Sequence, residues 1–78
     1  MGEDIQKYLE SHSTVHREFA ARVGTQLARN GIDDIGQLCS LLAKNPEDVR
    51  RLRNIGVKSM SVIYNICKVY QNEERRRP

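Results

Sequence analysis

The stretches Gly31-Ile32-Asp33-Asp34-Ile35-Gly36-Gln37-Leu38 and Gly56-Val57-Lys58-Ser59-Met60-Ser61-Val62-Ile63 decide how this 78-residue chain is read. Each runs glycine, apolar, two polar, apolar, two small or polar, apolar, and the two copies stand 25 residues apart. Each follows an Arg-Asn pair, Arg29-Asn30 or Arg53-Asn54, so each reads as helix, tight glycine turn, helix. The glycine is expected to supply the left-handed backbone of the turn and its apolar neighbour to plug the core. The pattern fits an internal duplication; it also fits two helix junctions that obey the same turn rules.

Outward from these turns the periodicity is helical throughout. Ile5, Tyr8 and Leu9 form a stripe with Asp4 as cap, on a segment too short to hold a helix alone in water. Ser13 or Thr14 is placed to cap a second helix through Val15, Phe19, Ala20, Val23 and Leu27, stopped by Asn30-Gly31, with Arg17, Arg22 and Arg29 off the apolar stripe. A third starts at Asp33-Asp34 and uses Ile35, Leu38, Leu41 and Leu42, ending near Lys44. Asn45-Pro46-Glu47-Asp48 gives a fourth, with a side-chain cap and proline at the first helical position, facing Val49 and Leu52 inward. The last is expected from about Lys58 to Glu73, with Met60, Ile63, Cys67 and Tyr70 on one side and Val62, Ile66 and Val69 on another. No segment alternates with period two. The reading is an all-α, compact bundle of four to five short helices. Its expected divisions are a short N-terminal helix or extension (1–13), the helical domain (14–73) and a disordered basic tail (74–78).

Apolar residues make up 38% of the chain and charged residues 29%, the balance of a small globular domain and not of a disordered tail. No apolar run approaches the roughly 20 residues that span a bilayer. The acidic start lacks the marks of a signal peptide, and Gln6 stands where a Met1-Gly2 myristoylation signal wants Ser or Thr. The expected location is cytoplasmic, at the nucleoid if the chain binds DNA. Cys39 and Cys67 form no metal or redox spacing and read as small core hydrophobes, and His12 and His16 lack a third ligand and read as solvated, so neither a metal nor a cofactor is expected. No Ser, His and acid grouping assembles, so the chain is not read as an enzyme.

The net charge of +3 hides a strong asymmetry: residues 49–78 hold eight of the thirteen basic residues and two of the ten acidic ones. Arg50, Arg51, Arg53 and Lys58 crowd the second glycine turn, a pattern that attracts phosphate or acidic protein. The helix after Gly31 opens on two aspartates and the helix after Gly56 on Lys58-Ser59, so only the second welcomes an anion at its N-terminus. Arg51 and Arg53 are additional candidates for phosphate.

Arg22, Gly31-Ile32-Asp33-Asp34-Ile35-Gly36-Gln37-Leu38 and Arg53-Asn54-Ile55-Gly56-Val57-Lys58-Ser59 together resemble the C-terminal domain of the bacterial RNA polymerase alpha subunit, over about residues 18–70. The resemblance implies a helical domain with two helix-hairpin-helix-like elements that binds the minor groove of A/T-rich double-stranded DNA and touches activators and sigma factor. It implies that Arg22 enters the groove, that Asn54, Gly56, Lys58 and Ser59 meet the backbone, and that Thr25 and Gln26 stand where the family has an asparagine and a small residue. Both side chains still donate hydrogen bonds, with an altered sequence preference expected. Val62 in place of a glutamate and a longer loop over residues 40–53 are further departures. Met1 and this divergence favour a free-standing relative over a cut fragment.

Two functions follow. The first is a small bacterial DNA-binding module linked to transcription, with non-specific affinity of about 10⁻⁴ to 10⁻⁶ M. The second is a protein-interaction module of the same fold, binding RNA polymerase, a regulator or itself. Its candidate surface is Val62, Ile66 and Val69, which must be covered either by Ile5, Tyr8 and Leu9 or by another chain.

Overall fold

In the computed structural model, which describes residues 4–13 and 15–76, five helices enclose one core: α1 (Ile5–His12), α2 (Arg17–Arg29), α3 (Ile35–Lys44), α4 (Pro46–Arg50) and α5 (Val57–Arg76). The core is assembled from all five, with Ile5, Leu9, Leu27, Ile35, Leu38, Val49 and Ile63 fully buried, and no polar or charged residue is buried among the described residues. The Cα radius of gyration, 11.4 Å, matches the roughly 11.5 Å expected for a compact chain of this length. No described helix is long and apolar enough to cross a membrane.

Asp4 starts α1 by accepting from the backbone N–H groups of Gln6 and Lys7, both at 3.1 Å. A helix this short needs a partner, and α2 provides it at Gly24: a Cβ there would stand 3.1 Å from Gln6 Cα. Glycine is what lets the two backbones close to packing distance. The start of α1 is tied further by Ile5 N–H donating to Asp33 O at 2.8 Å, beside a single antiparallel bridge between Asp4 and Asp34. Its end is held on α5. Tyr8 donates to Glu73 Oε2 at 3.2 Å, His12 Nε2 lies 3.1 Å from Glu73 Oε1, and Tyr8 stacks on His12 at 4.0 Å and meets Tyr70 edge-on. Residues 5–12 are thus part of the core and not an appendage to it.

The cap of α2 differs from the sequence reading. His16 occupies it, its Nδ1 accepting from Glu18 N–H at 3.3 Å, while Ser13 Oγ accepts from Val15 N–H and shapes the connection; Thr14 lies outside the described residues. His12 and His16 therefore serve separate partners, and among the described residues no three His, Cys, Asp or Glu side chains gather as a metal site. At its other end α2 closes in a Schellman motif: Ile32 N–H reaches Leu27 O, Gly31 N–H reaches Ala28 O, and Gly31 takes φ +85°. Asp34 caps α3 by accepting from Gln37 N–H at 2.7 Å. Gln37 reaches back to Asp33 N–H and Gly31 O. Cys39 is buried on α3, whereas Leu41 and Leu42 are only half-buried.

Asn45 gives α4 no side-chain cap bond, contrary to the sequence reading. Its backbone joins two helices instead, its N–H donating to Leu41 O and its carbonyl accepting from Asp48 N–H, while Pro46 takes the first helical position. The second turn also departs from expectation. Its left-handed residue is Asn54, at φ +65°, and Gly56 is not left-handed. The repeat therefore runs Gly31-Ile32 to Asn54-Ile55 and not Gly31-Ile32 to Gly56-Val57. Ile32 is buried and Ile55 half-buried, while Val57 is 89% exposed in the first turn of α5.

Helix α5 continues through Arg76, past the expected end at Glu73, because Tyr8 and His12 fasten Glu73 on its final turns. Arg77 and Pro78, like residues 1–3, lie outside the described residues. Val62 and Ile66 are buried inside the chain and Val69 is half-buried. The candidate partner surface at these three residues is therefore internal packing, with α1 and α2 both resting on α5.

Candidate nucleic-acid interface

Arg22, Thr25, Gln26 and Arg29 are spaced i, i+3, i+4, i+7 and so line one face of α2, opposite the Ala20, Val23, Leu27 face that enters the core. Arg22 and Arg29 are exposed and Thr25 and Gln26 half-buried. Thr25 spends its hydroxyl proton on Ala21 O at 3.0 Å, which leaves its oxygen as an acceptor toward solvent.

The second turn is joined to this face by side chains. Asn54 Nδ2 donates to Gln26 Oε1 at 3.4 Å. Asn30 binds both backbone groups of Arg53, its Nδ2 donating to the carbonyl at 3.2 Å and its Oδ1 accepting from the N–H at 3.3 Å, and the same Nδ2 reaches Gln26 O at 2.7 Å. Gln26, Arg29, Asn30, Arg53 and Asn54 line one shallow groove. Of the sequence candidates, Gln26 and Asn54 are thus in direct contact, Arg22 and Thr25 adjoin them along α2, and Gly56, Lys58 and Ser59 follow Asn54 into α5. No hydrogen bond links Arg22 to Lys58 or Ser59.

Arg29 and Asn30 join the site without being sequence candidates, because the pattern marks them only as the end of a helix. The signal for Arg29 is its place seven residues after Arg22, two turns along one face. Asn30 carries no signal, because its partner is 23 residues away.

The cations of this face are largely unpaired, with exposed Glu18 one turn before Arg22 on the same stripe. Among the described residues Arg22, Arg29, Arg51, Arg53 and Lys58 have no ion-pair partner, while Arg50 reaches Glu47 at 3.6 Å on the surface. The N–H groups of Val57, Lys58 and Ser59 precede the first backbone bond into α5, Met60 N–H to Gly56 O at 2.9 Å, and no described side chain caps them. Ser59 sits inside the first turn of α5. A Cβ on Gly56 would meet nothing within 4 Å, so neither φ nor crowding within the chain calls for glycine there. The first turn is the opposite case. Its helix start is closed by Asp34 and Gln37 and overlaid by the start of α1. One turn is therefore sealed by the chain itself and the other is open, flanked by unpaired cations, and suited to an anion.

Comparison of the chain with protein-family models, with curated proteins and with solved structures gives no match.

Proposed function

We propose that this chain is a small, non-catalytic bacterial DNA-binding module linked to transcription, and that it meets double-stranded DNA through the α2 face and the second turn. The observation that carries the reading is the pair of tethers, Gln26 to Asn54 and Asn30 to Arg53, which fixes two separate basic elements as one surface without neutralising either. Arg22 enters the minor groove of A/T-rich sequence, where negative potential is highest, with Thr25 and Gln26 at the groove edge. Gly56 admits a phosphate to the N–H groups of α5, and Lys58 and Ser59 bind it, with Arg51 and Arg53 on neighbouring phosphates. The resemblance of these residues to the C-terminal domain of the polymerase alpha subunit supports the same assignment. In this role the protein works in the cytoplasm, at the nucleoid.

The test is titration of isotope-labelled protein with an A/T-rich duplex at low salt. Amide shifts centred on Arg22, Asn54, Gly56 and Lys58 are expected, with an affinity that falls on adding salt at a log-log slope of about −3 for three or four phosphates. A titration in which these amides stay still sinks the proposal.

A second reading, an interface for RNA polymerase, a regulator or a second copy, is favoured by Val57 and Tyr64, which are 89% and 43% exposed on one face of α5 beside Ile55 and Met60. Sedimentation equilibrium that shows dimers lost on Tyr64→Ser would support the version with a second copy.

A further inference from the structure

Cys39 on α3 and Cys67 on α5 read in the sequence as separate core residues. The fold makes them a pair. Cys39 and Cys67 line one surface groove together with Leu42, Tyr64 and Lys68. Cys39 also lines the adjoining groove with Ser40 and Gln71. It retains 7% exposure and Cys67 3%, and neither is in a disulfide.

We propose that this pair is a modification site: a hydroperoxide oxidises Cys39, and Cys67 resolves the product into an intramolecular disulfide that fastens α3 to α5. The neighbouring Cys67 side chain holds the Cys39 thiol below the usual thiol range against the opposing effect of burial, and Cys39, with burial, pushes Cys67 up. Cys39, the more exposed of the two and the one that lines both grooves, is the sulfur that a reagent meets first, with Cys67 behind it as the resolving thiol. In the first step the Cys39 thiolate attacks one oxygen of hydrogen peroxide, the O–O bond breaks, and the departing hydroxide takes a proton to become water. Cys39 is then a sulfenic acid. In the second step the Cys67 sulfur attacks the Cys39 sulfur, loses its proton and expels hydroxide, which leaves as a second water. Two thiols and one peroxide become one disulfide and two waters. The proposal is independent of DNA binding.

The experiment treats the reduced full-length chain, dilute enough to stay monomeric, with hydrogen peroxide and follows it by intact mass and peptide mapping. The expected product is a monomer two hydrogens lighter whose Cys39 and Cys67 peptides are joined until a reductant is added. In Cys67→Ser, dimedone is expected to trap the sulfenic acid on Cys39. Should that variant not fold, the wild-type map decides alone. Two thiols that stay free at peroxide levels sufficient to oxidise a free cysteine, oxidation of each sulfur to a sulfinic acid without a link, or a disulfide between two molecules would each overturn the proposal.

Discussion

Asn30 holds Arg53 by both of its backbone groups, donating to the carbonyl at 3.2 Å and accepting from the N–H at 3.3 Å. One amide side chain at the end of α2 thereby does for the turn after α4 what a strand neighbour does in a sheet. It satisfies a stretch of irregular backbone and fixes its position. The two residues occupy equivalent places in the two turns, each immediately before the left-handed residue, Gly31 or Asn54.

Replacing Asn30 with Ala removes these bonds together with the one to Gln26 O. A loss of about 1–3 kcal/mol is expected in urea unfolding, since the Arg53 backbone groups lose a partner. Asn30→Asp keeps the acceptor and loses the donor, and is expected to fall between the two. Faster hydrogen exchange at Arg53 and Asn54 in the alanine variant checks that the damage is at the second turn.

The glycines separate structure from binding. Gly31→Ala forces an L side chain into φ +85° and is expected to lower stability by about 1–2 kcal/mol. Gly56→Ala meets no neighbour within 4 Å and is expected to change stability by less than about 0.5 kcal/mol. If Gly56 exists to let a phosphate approach, this silent variant loses duplex affinity. Thermal melting and a binding isotherm on the same samples decide it.

At the α1–α2 contact, Gly24→Ala sets a Cβ against the Gln6 backbone at 3.1 Å, where no rotamer change relieves it. A destabilisation of about 1–3 kcal/mol is expected, with α1 amide signals the most displaced.

On the other side of α1, Tyr8→Ala should cost about 3 kcal/mol or more, because a buried ring that also stacks on His12 is removed. Glu73→Gln should cost less than about 1 kcal/mol, since the ion pair with His12 is substantially exposed to solvent. Chemical unfolding of the two variants side by side tests this ordering; equal losses would mean that α1 is held by charge and not by packing.

For the proposed interface, Lys58→Ala is expected to weaken duplex binding about equally for all sequences and to reduce the magnitude of the salt slope by about 0.9, the contribution of one phosphate. Arg22→Ala is expected to lower affinity for A/T-rich DNA more than for G/C-rich DNA, because a narrow groove loses its cation. Fluorescence anisotropy across a salt series with both duplexes separates the two roles.

The number of helices, their apolar faces and most of their ends are readable from the chain itself because these are local properties. Asp4 and Asp34 cap the turn next to them, Pro46 opens its own helix, and the Asn30-Gly31 stop acts within one turn. The concentration of cations around residues 50–58 is equally plain. What local reasoning misplaces are positions whose role depends on distant backbone. The glycine pattern aligns Gly56 with Gly31, but the left-handed residue is Asn54, since a helix start at Val57 and a core plug at Ile55 leave no room for the turn two residues later. His16 displaces Ser13 as a cap because α1, held by Gly24 and Glu73, carries the chain through to residue 13.

The sequence by itself determined an all-α chain with two glycine-bearing turns and a basic second half, because hydrophobic period, capping chemistry and charge act over a few residues. Only the tertiary structure decided which turn is open and which is sealed, that Val62 and Ile66 are covered by their own chain, and that Cys39 and Cys67 share one groove. Those outcomes rest on contacts between residues far apart in sequence, each made possible by a close approach or a buried face that no local pattern records.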